Sequence, residues 1–295
     1  MSDESSRLPW RRPPHGHFPG VPAWGAPTAD TSQEAFEADW LPEVSPEWAW
    51  GGANGAGIRV CVLDSGVDAA HPRVGGVDRS LSVVGDTDGG IGISEVEPVD
   101  LAGHGTACAS VIRSIAPGVS LTSVRILTDG RHGSGAALLA GLDWAIEEGF
   151  DLVNMSLSTT KEQFCLPLYE LADRAYFRRC ILVASAHNMP VRSYPWLFAS
   201  VISVASHNEP DPMVYYYNPA PPVEFYARGV KVPVAWIGGR EISSTGNSFA
   251  TPHITAICAR ILSKHPLLTP FQLKAVLYLA ASNIAKPAGG AHAST

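Results

Sequence analysis

The chain has 295 residues, 45% of them hydrophobic, enough to bury one large α/β domain or two small ones. A formal charge of −7 with a charged fraction of 17% gives no case for nucleic acid as the main partner. No stretch approaches the roughly 20 apolar residues of a membrane-spanning helix, so no membrane partner is expected either.

Residues 1–47 read as a Pro-rich N-terminal extension, mostly irregular and partly disordered. Yet the first 50 residues hold five of the eight tryptophans: Trp10, Trp24, Trp40, Trp48 and Trp50. A fully disordered tail rarely carries so many large aromatics, so part of this region is expected to dock on the body. The opening MSDESSRLPWRRPPHGHFPG lacks the apolar segment of a secretory signal, and a cytoplasmic location is expected. Arg11-Arg12, between prolines, reads as a solvated tail.

From Ile58 the pattern changes. Ile58–Leu63 (IRVCVL) is a short apolar run of the kind buried on both faces of a sheet. Similar runs recur at Leu121–Leu127, Asp151–Leu157, Cys180–Ala184 and Val201–Ala205. Helical spacing follows His104 (Ala107, Val111, Ser114) and marks Leu138, Leu142 and Ala145. Ile254, Ile257, Cys258 and Ile261 outline an amphipathic helix, and Leu273, Val276, Leu277 and Ala280 a last one. Strands alternating with helices predict an α/β fold, a mostly parallel central sheet with helices on both faces. The final segment, 286–295, reads as a disordered tail. Five cysteines (Cys61, Cys108, Cys165, Cys180, Cys258) show neither metal-ligand nor redox spacing and read as small buried thiols in a reducing compartment.

Three segments stand where a strand ends or a helix begins. Asp64 closes the first strand in Val62–Asp68 (VLDSGVD), and a buried Asp there can orient a histidine. His104 lies between Gly103 and Gly105 at a helix start, and an imidazole is a natural general base near neutral pH. Ser248, in Ser244–His253 (STGNSFATPH), precedes a helix whose N-terminus favours developing negative charge, with Pro252 expected in its first turn. Taken singly, each has an ordinary structural reading: a strand-end Asp, a helix-start His, an N-cap Ser.

Together these motifs resemble the subtilisin-like serine proteases, the subtilases. VLDSGVDAAHP, GHGT and GNSFATPH are similar to the three catalytic motifs of that family, in its order Asp, His, Ser. The likeness continues through Ala116-Pro117-Gly118, Asp151–Leu157, Tyr194-Pro195 and Ser200–Ala205, and covers about residues 48–285 as one peptidase domain. It implies Asp64, His104 and Ser248 as catalytic residues. It also implies Asn188, at the end of Val183–Asn188 (VASAHN), as side-chain donor of the oxyanion hole, beside the Ser248 N–H. The implied reaction is peptide-bond hydrolysis through an acyl-enzyme, without metal or organic cofactor.

Departures from the family pattern bear on substrate and metal. The substrate-binding stretch Ser156-Leu157 continues with Ser158-Thr159 where the family usually has two glycines, and His187 replaces the glycine before Asn188. Added side chains are expected to narrow the pocket and restrict specificity to few peptides or small side chains. Arg73 stands where the family often has a calcium-binding Asp, so that calcium site is not expected. Asp86, Asp88, Glu95, Glu97 and Asp100 form either another cation site or a solvated acidic rim, the second being the plainer reading. Ala107 replaces a second family histidine, a change expected in helix packing. Asn247, beside the nucleophile, either adds an oxyanion contact or fills space. Part of Glu34–Glu43 (EAFEADWLPE) is expected to dock in or near the cleft as a regulatory extension. The competing readings are a peptide-binding scaffold that no longer cleaves, and a nucleotide-binding α/β protein. The second lacks a Gly-rich loop after a strand, since Gly51–Gly57 precedes one.

Overall fold

A computed structural model describes residues 44–85, 91–127 and 133–284. The expectations for Trp10, Trp24, Trp40, Glu34–Glu43, Asp86, Asp88 and the 286–295 tail lie outside these residues. The unit described below begins at Ser45.

In chain order the first elements are α1 (Pro46–Trp50), β1 (Arg59–Asp64), β2 (Arg79–Gly85), β3 (Ile91–Glu95), α2 (His104–Ile115), β4 (Ser120–Arg125), α3 (Gly135–Glu147) and β5 (Leu152–Met155). They are followed by α4 (Cys165–Phe177), β6 (Ile181–Ser185), β7 (Ile202–His207), β8 (Tyr215–Tyr217), β9 (Phe225–Arg228), β10 (Val232–Trp236), β11 (Arg240–Ser244), α5 (Asn247–Lys264) and α6 (Pro270–Leu279). The expected boundary at residue 47 falls inside α1, whose Ser45 hydroxyl accepts from the Trp48 N–H at 3.1 Å. Trp48 stacks on His265 with ring centroids 4.1 Å apart.

Among the described residues the main sheet runs β3-β2-β4-β1-β5-β6-β7-β9-β8. The β2–β3 and β8–β9 pairs at its edges are antiparallel, and every other pair is parallel. β1 is central because its residues from Val60 to Asp64 are all buried. It pairs with β4 on one side and β5 on the other, so the chain order reverses there. Crevices for ligands open at the carboxyl ends of strands at such switch points.

The two-residue period of a strand divides the work between the faces. Cys61, Leu63, Val153, Met155 and Leu182 join one core with Leu138 and Leu142 of α3 and Leu168 and Ala172 of α4. Asp64 and Asn154 point the other way, where Asp64 meets His104 of α2 and Asn154 meets Thr255 of α5. Truncating a fully buried residue such as Leu63 to Ala would cost about 2–5 kcal/mol.

Four features differ from what the sequence predicts. α5 is not amphipathic: fourteen of its 18 residues are buried, because it packs on β5, β6, β7 and β9 and also on α1, α2 and α6. Pro252 falls in the interior of α5 and not in its first turn. α4 is an additional helix. Leu168, Ala172 and Ala175 face the core, but the exposed Leu166, Tyr169 and Phe177 blur the apolar stripe. The outer strands β2, β3, β8 and β9 and the β10–β11 hairpin also escaped the pattern, being short, polar or half-exposed.

Candidate active site

The site begins with a hydrogen bond across two elements. Asp64, 1% exposed, ends β1, and His104 is the first residue of α2. The His104 Nδ1–H donates to Asp64 Oδ1 and Oδ2, at 2.8 and 2.9 Å. The flanking glycines make this approach sterically feasible. A Cβ on Gly105 would stand 2.0 Å from the Gly66 carbonyl oxygen, and one on Gly103 would stand 2.6 Å from the Trp236 ring. Gly103 also holds φ at +93°, a value that favours glycine. Burial opposes a charge on the His104 ring, but Asp64, by charge and hydrogen bond, and Asp100, by charge, outweigh it and raise its proton affinity above the ordinary value.

Ser248, the second residue of α5, is buried at 8% exposure. Its carbonyl accepts from the Ser156 hydroxyl at 2.8 Å, and Cys108 Sγ lies 3.7 Å away. Ser156 accepts in turn from Asn154 Nδ2 at 3.1 Å, and Asn154 Oδ1 accepts from the Thr255 hydroxyl at 2.8 Å. A chain of hydrogen bonds thus ties the end of β5 to two turns of α5.

Asn188 follows β6 and faces the start of α5. Its Oδ1 accepts from the Asn247 backbone N–H at 2.9 Å, so its amide nitrogen is the end free to donate. A Cβ built on Gly246 would lie 3.3 Å from Ser248 Oγ and 3.7 Å from Asn188 Nδ2, so serine and amide border one point in space. The Asn247 side chain is occupied elsewhere. Its Oδ1 accepts from the N–H and hydroxyl of Ser206, and its Nδ2 donates to the carbonyls of Ala186 and His187. Of the two roles open to it, it therefore fills the structural one.

A cleft of about 630 Å³ brings together His104, Ser248, Asn188, Ser156, Leu157, Ser158 and Thr159, with Leu138 and Trp236 on its walls. Asp64 stands behind His104. His187, expected among the substrate contacts, does not line this cleft. Its ring turns back on its own loop, where Nδ1 accepts from the Met189 N–H at 3.0 Å. The Ser158 hydroxyl lies 3.1 Å from Ser193 Oγ, and Ser193 also accepts from Trp196 Nε1 at 2.7 Å. Ser193 has no solvent exposure, so the wall behind Ser158 is closed by buried polar groups.

Asp100, expected in a cation site or a solvated acidic rim, is in neither. Asp100 is only 9% exposed, and its carboxylate accepts hydrogen bonds from Ser65, Ala102, Gly103 and Thr106. The signal was available in the spacing: an Asp shortly before a helix that starts after glycine can serve as a cap at a distance. Among the described residues, the one grouping of His, Cys and acid tight enough to hold a metal is Asp64, His104 and Cys108. Here the His and Asp are already committed to each other. Burial, then the Asp64 charge, pushes the Cys108 thiol well up, which removes it as a nucleophile near neutral pH. Arg73 pairs with Glu241 at 3.1 Å.

An open α/β sheet with a carboxylate-held histidine and a serine at a helix start on one cleft has the parts of a serine hydrolase. The sequence matches the subtilase family over residues 55–293. It is 30% identical over 283 residues to the thermostable alkaline protease of Halalkalibacterium halodurans, covering 88% of this chain and 74% of that one. It is 29% identical over 248 residues to subtilisin DY of Bacillus licheniformis, covering 79% and 86%. A crystal structure of a cold-adapted subtilisin-like serine proteinase superposes with a TM-score of 0.63 at 26% identity, covering 76% of this chain and 81% of that one. The chain belongs to the subtilase family, and it is a serine endopeptidase.

Proposed function

We propose that Ser248, His104, Asp64 and Asn188 carry out the peptide-bond cleavage, on a narrow range of substrates. The observation that carries this reading is the Asp64–His104 hydrogen bond at 2.8 Å beside a cleft shared with Ser248 and Asn188. With Nδ1–H committed to Asp64, Nε2 is the nitrogen left to take the Ser248 proton. Ser248 Oγ then attacks the scissile carbonyl carbon. The oxyanion receives hydrogen bonds from Asn188 Nδ2 and the Ser248 backbone N–H at the start of α5. The His104 imidazolium, stabilised by Asp64, protonates the leaving amine. Water then adds to the acyl-enzyme with His104 again as base, releasing the second product and restoring Ser248.

Restricted specificity is supported by Ser158 and Thr159 on the cleft wall and by the buried Ser193 and Trp196, hydrogen-bonded in a chain behind Ser158. A large side chain entering there would strand those polar groups, whereas a small or polar one leaves their hydrogen bonds in place. Such a pocket suits dedicated processing of a partner peptide better than general turnover. No calcium is assigned at Arg73, because its guanidinium and Glu241 occupy that corner.

Intact mass after treatment with a fluorophosphonate tests the catalytic assignment. One adduct on the wild type and none on Ser248→Ala is the expected result. An unmodified wild type would favour the alternative of a non-cleaving peptide-binding scaffold. Broad digestion of casein, or efficient cleavage after large aromatic residues, would refute the narrow specificity.

A further inference from the structure

We infer that Asp100 is a positioning residue for the catalytic base: its carboxylate locks the start of α2 to the residue after Asp64, and so sets where His104 stands. The inference rests on the assignment of His104 as base.

The need for such a residue follows from Gly103. A helix beginning at His104 would normally be capped by the side chain of residue 103. No side chain fits there, because the Trp236 ring packs against Gly103. The cap has therefore moved three residues upstream. Asp100 Oδ2 accepts from the Thr106 N–H at 2.8 Å and the Thr106 hydroxyl at 2.6 Å. Oδ1 accepts from the N–H groups of Ala102 and Gly103 at 2.9 and 2.8 Å. A carboxylate at this place also complements the positive end of the helix dipole.

The second half of the lock reaches the catalytic aspartate. The Ser65 hydroxyl donates to Asp100 Oδ1 at 2.7 Å and accepts from the Gly105 N–H at 3.1 Å. The Ser65 N–H donates to Asp64 Oδ1 at 2.8 Å. Asp64, Ser65, Asp100, the 103–106 backbone and His104 thus form one closed ring. The catalytic Asp64–His104 hydrogen bond is a link in it. A shift at any other link is transmitted to that bond, and small misplacements of a catalytic group are costly.

Asp100 also acts through its charge. The titratable groups facing His104 among the described residues are Asp64 at the end of β1, Cys108 on its own helix, and Asp100. α5 presents the neutral Ser248 and the ring of Phe249, 5.4 Å from the imidazole centroid. Removing the Asp100 charge removes one of the contributions that raise the His104 proton affinity.

Asp100→Asn keeps the shape, deletes the charge and turns an amide N–H₂ toward donors. The test compares it with the wild type, Ser65→Ala and His104→Ala on one fluorogenic peptide, with kcat and KM measured across pH. Expected for Asp100→Asn is a kcat roughly tenfold lower with KM nearly unchanged. Its acid limb of kcat/KM should move to lower pH. Ser65→Ala, which breaks a link without changing charge, should lower kcat and leave the acid limb in place. A lower melting temperature for Asp100→Asn with kcat and acid limb unchanged would overturn the inference, leaving a simple helix cap. If Asp100→Asn does not fold, wild-type kcat in Ser65→Ala overturns it. Activity persisting in His104→Ala would refute the assignment of the base instead, a different failure.

Discussion

The hydroxyl of Ser156 donates to the carbonyl of Ser248 across 2.8 Å, and it can do so because Pro252 cannot. In an uninterrupted helix the N–H of residue 252 would bond the carbonyl of residue 248. Proline has no N–H, and inside α5 it leaves that buried carbonyl to find another donor. The Ser248 peptide is thereby held from the segment after β5 and not from its helix.

Ser156→Ala should destabilise the fold by about 1–3 kcal/mol, since it strands the Ser248 carbonyl and one Asn154 donor. Adding Pro252→Ala to that variant should recover part of the loss, because residue 252 then brings an N–H. Chemical denaturation of the two single variants and the double gives the coupling. Strict additivity would show that the two residues do not share this carbonyl.

Asp64→Asn should lower kcat by about 10⁴, because the amide favours the wrong imidazole tautomer. The pH dependence follows in sign. As the proposed base, His104 would work only when neutral, and its proton affinity is raised, so the acid limb of kcat/KM in the wild type should lie above pH 6.5. Any residual activity of Asp64→Asn should show that limb displaced to lower pH. A limb at the same pH in both would contradict the electrostatic account.

Asn188→Ala should lower kcat by about 10²–10³ with little change in KM, the pattern of a contact made only in the transition state. A raised KM at constant kcat would mean that Asn188 binds ground-state substrate instead.

Opening the wall should widen substrate choice. Ser158→Gly with Ser193→Gly removes the paired hydroxyls behind the cleft. The kcat/KM ratio for a peptide with a large apolar residue over one with a small residue should rise by roughly tenfold or more. An unchanged ratio would place the selective pocket elsewhere.

His253 should make the fold acid-sensitive. It is buried in α5, its Nδ1–H donates to the Phe249 carbonyl at 2.9 Å, and burial lowers its pKa to about 4. Between pH 6.5 and 4 the unfolded chain binds a proton that the folded one does not, so stability falls as pH falls across that window and levels below it. The contribution is about 3 kcal/mol. Denaturation midpoints of His253→Gln should lack this part of the slope, and an identical slope would exclude His253 as its source.

The parts whose evidence is local were legible before any folding was considered. Strands such as β1 announce themselves by continuous apolar runs, since both faces of a parallel sheet are covered. Asp64, His104 and Ser248 stood out because each sits at an element boundary, in a motif a few residues long. α4 did not stand out, because its exposed Leu166 and Phe177 mask the helical period. Other decisions belong to the tertiary structure alone. His187 turned out of the cleft because its ring found a backbone partner two residues on. Asn247 turned into the β6 and β7 ends, where four backbone and side-chain groups engage its amide. Asp100 became a buried hub because Ser65, 35 residues earlier, folds against it. Ser156 reaches Ser248 across 92 residues of sequence. A proline announces that a carbonyl will be left without its helical donor. Which hydroxyl then satisfies it depends on the packing of distant elements, and no local pattern records that.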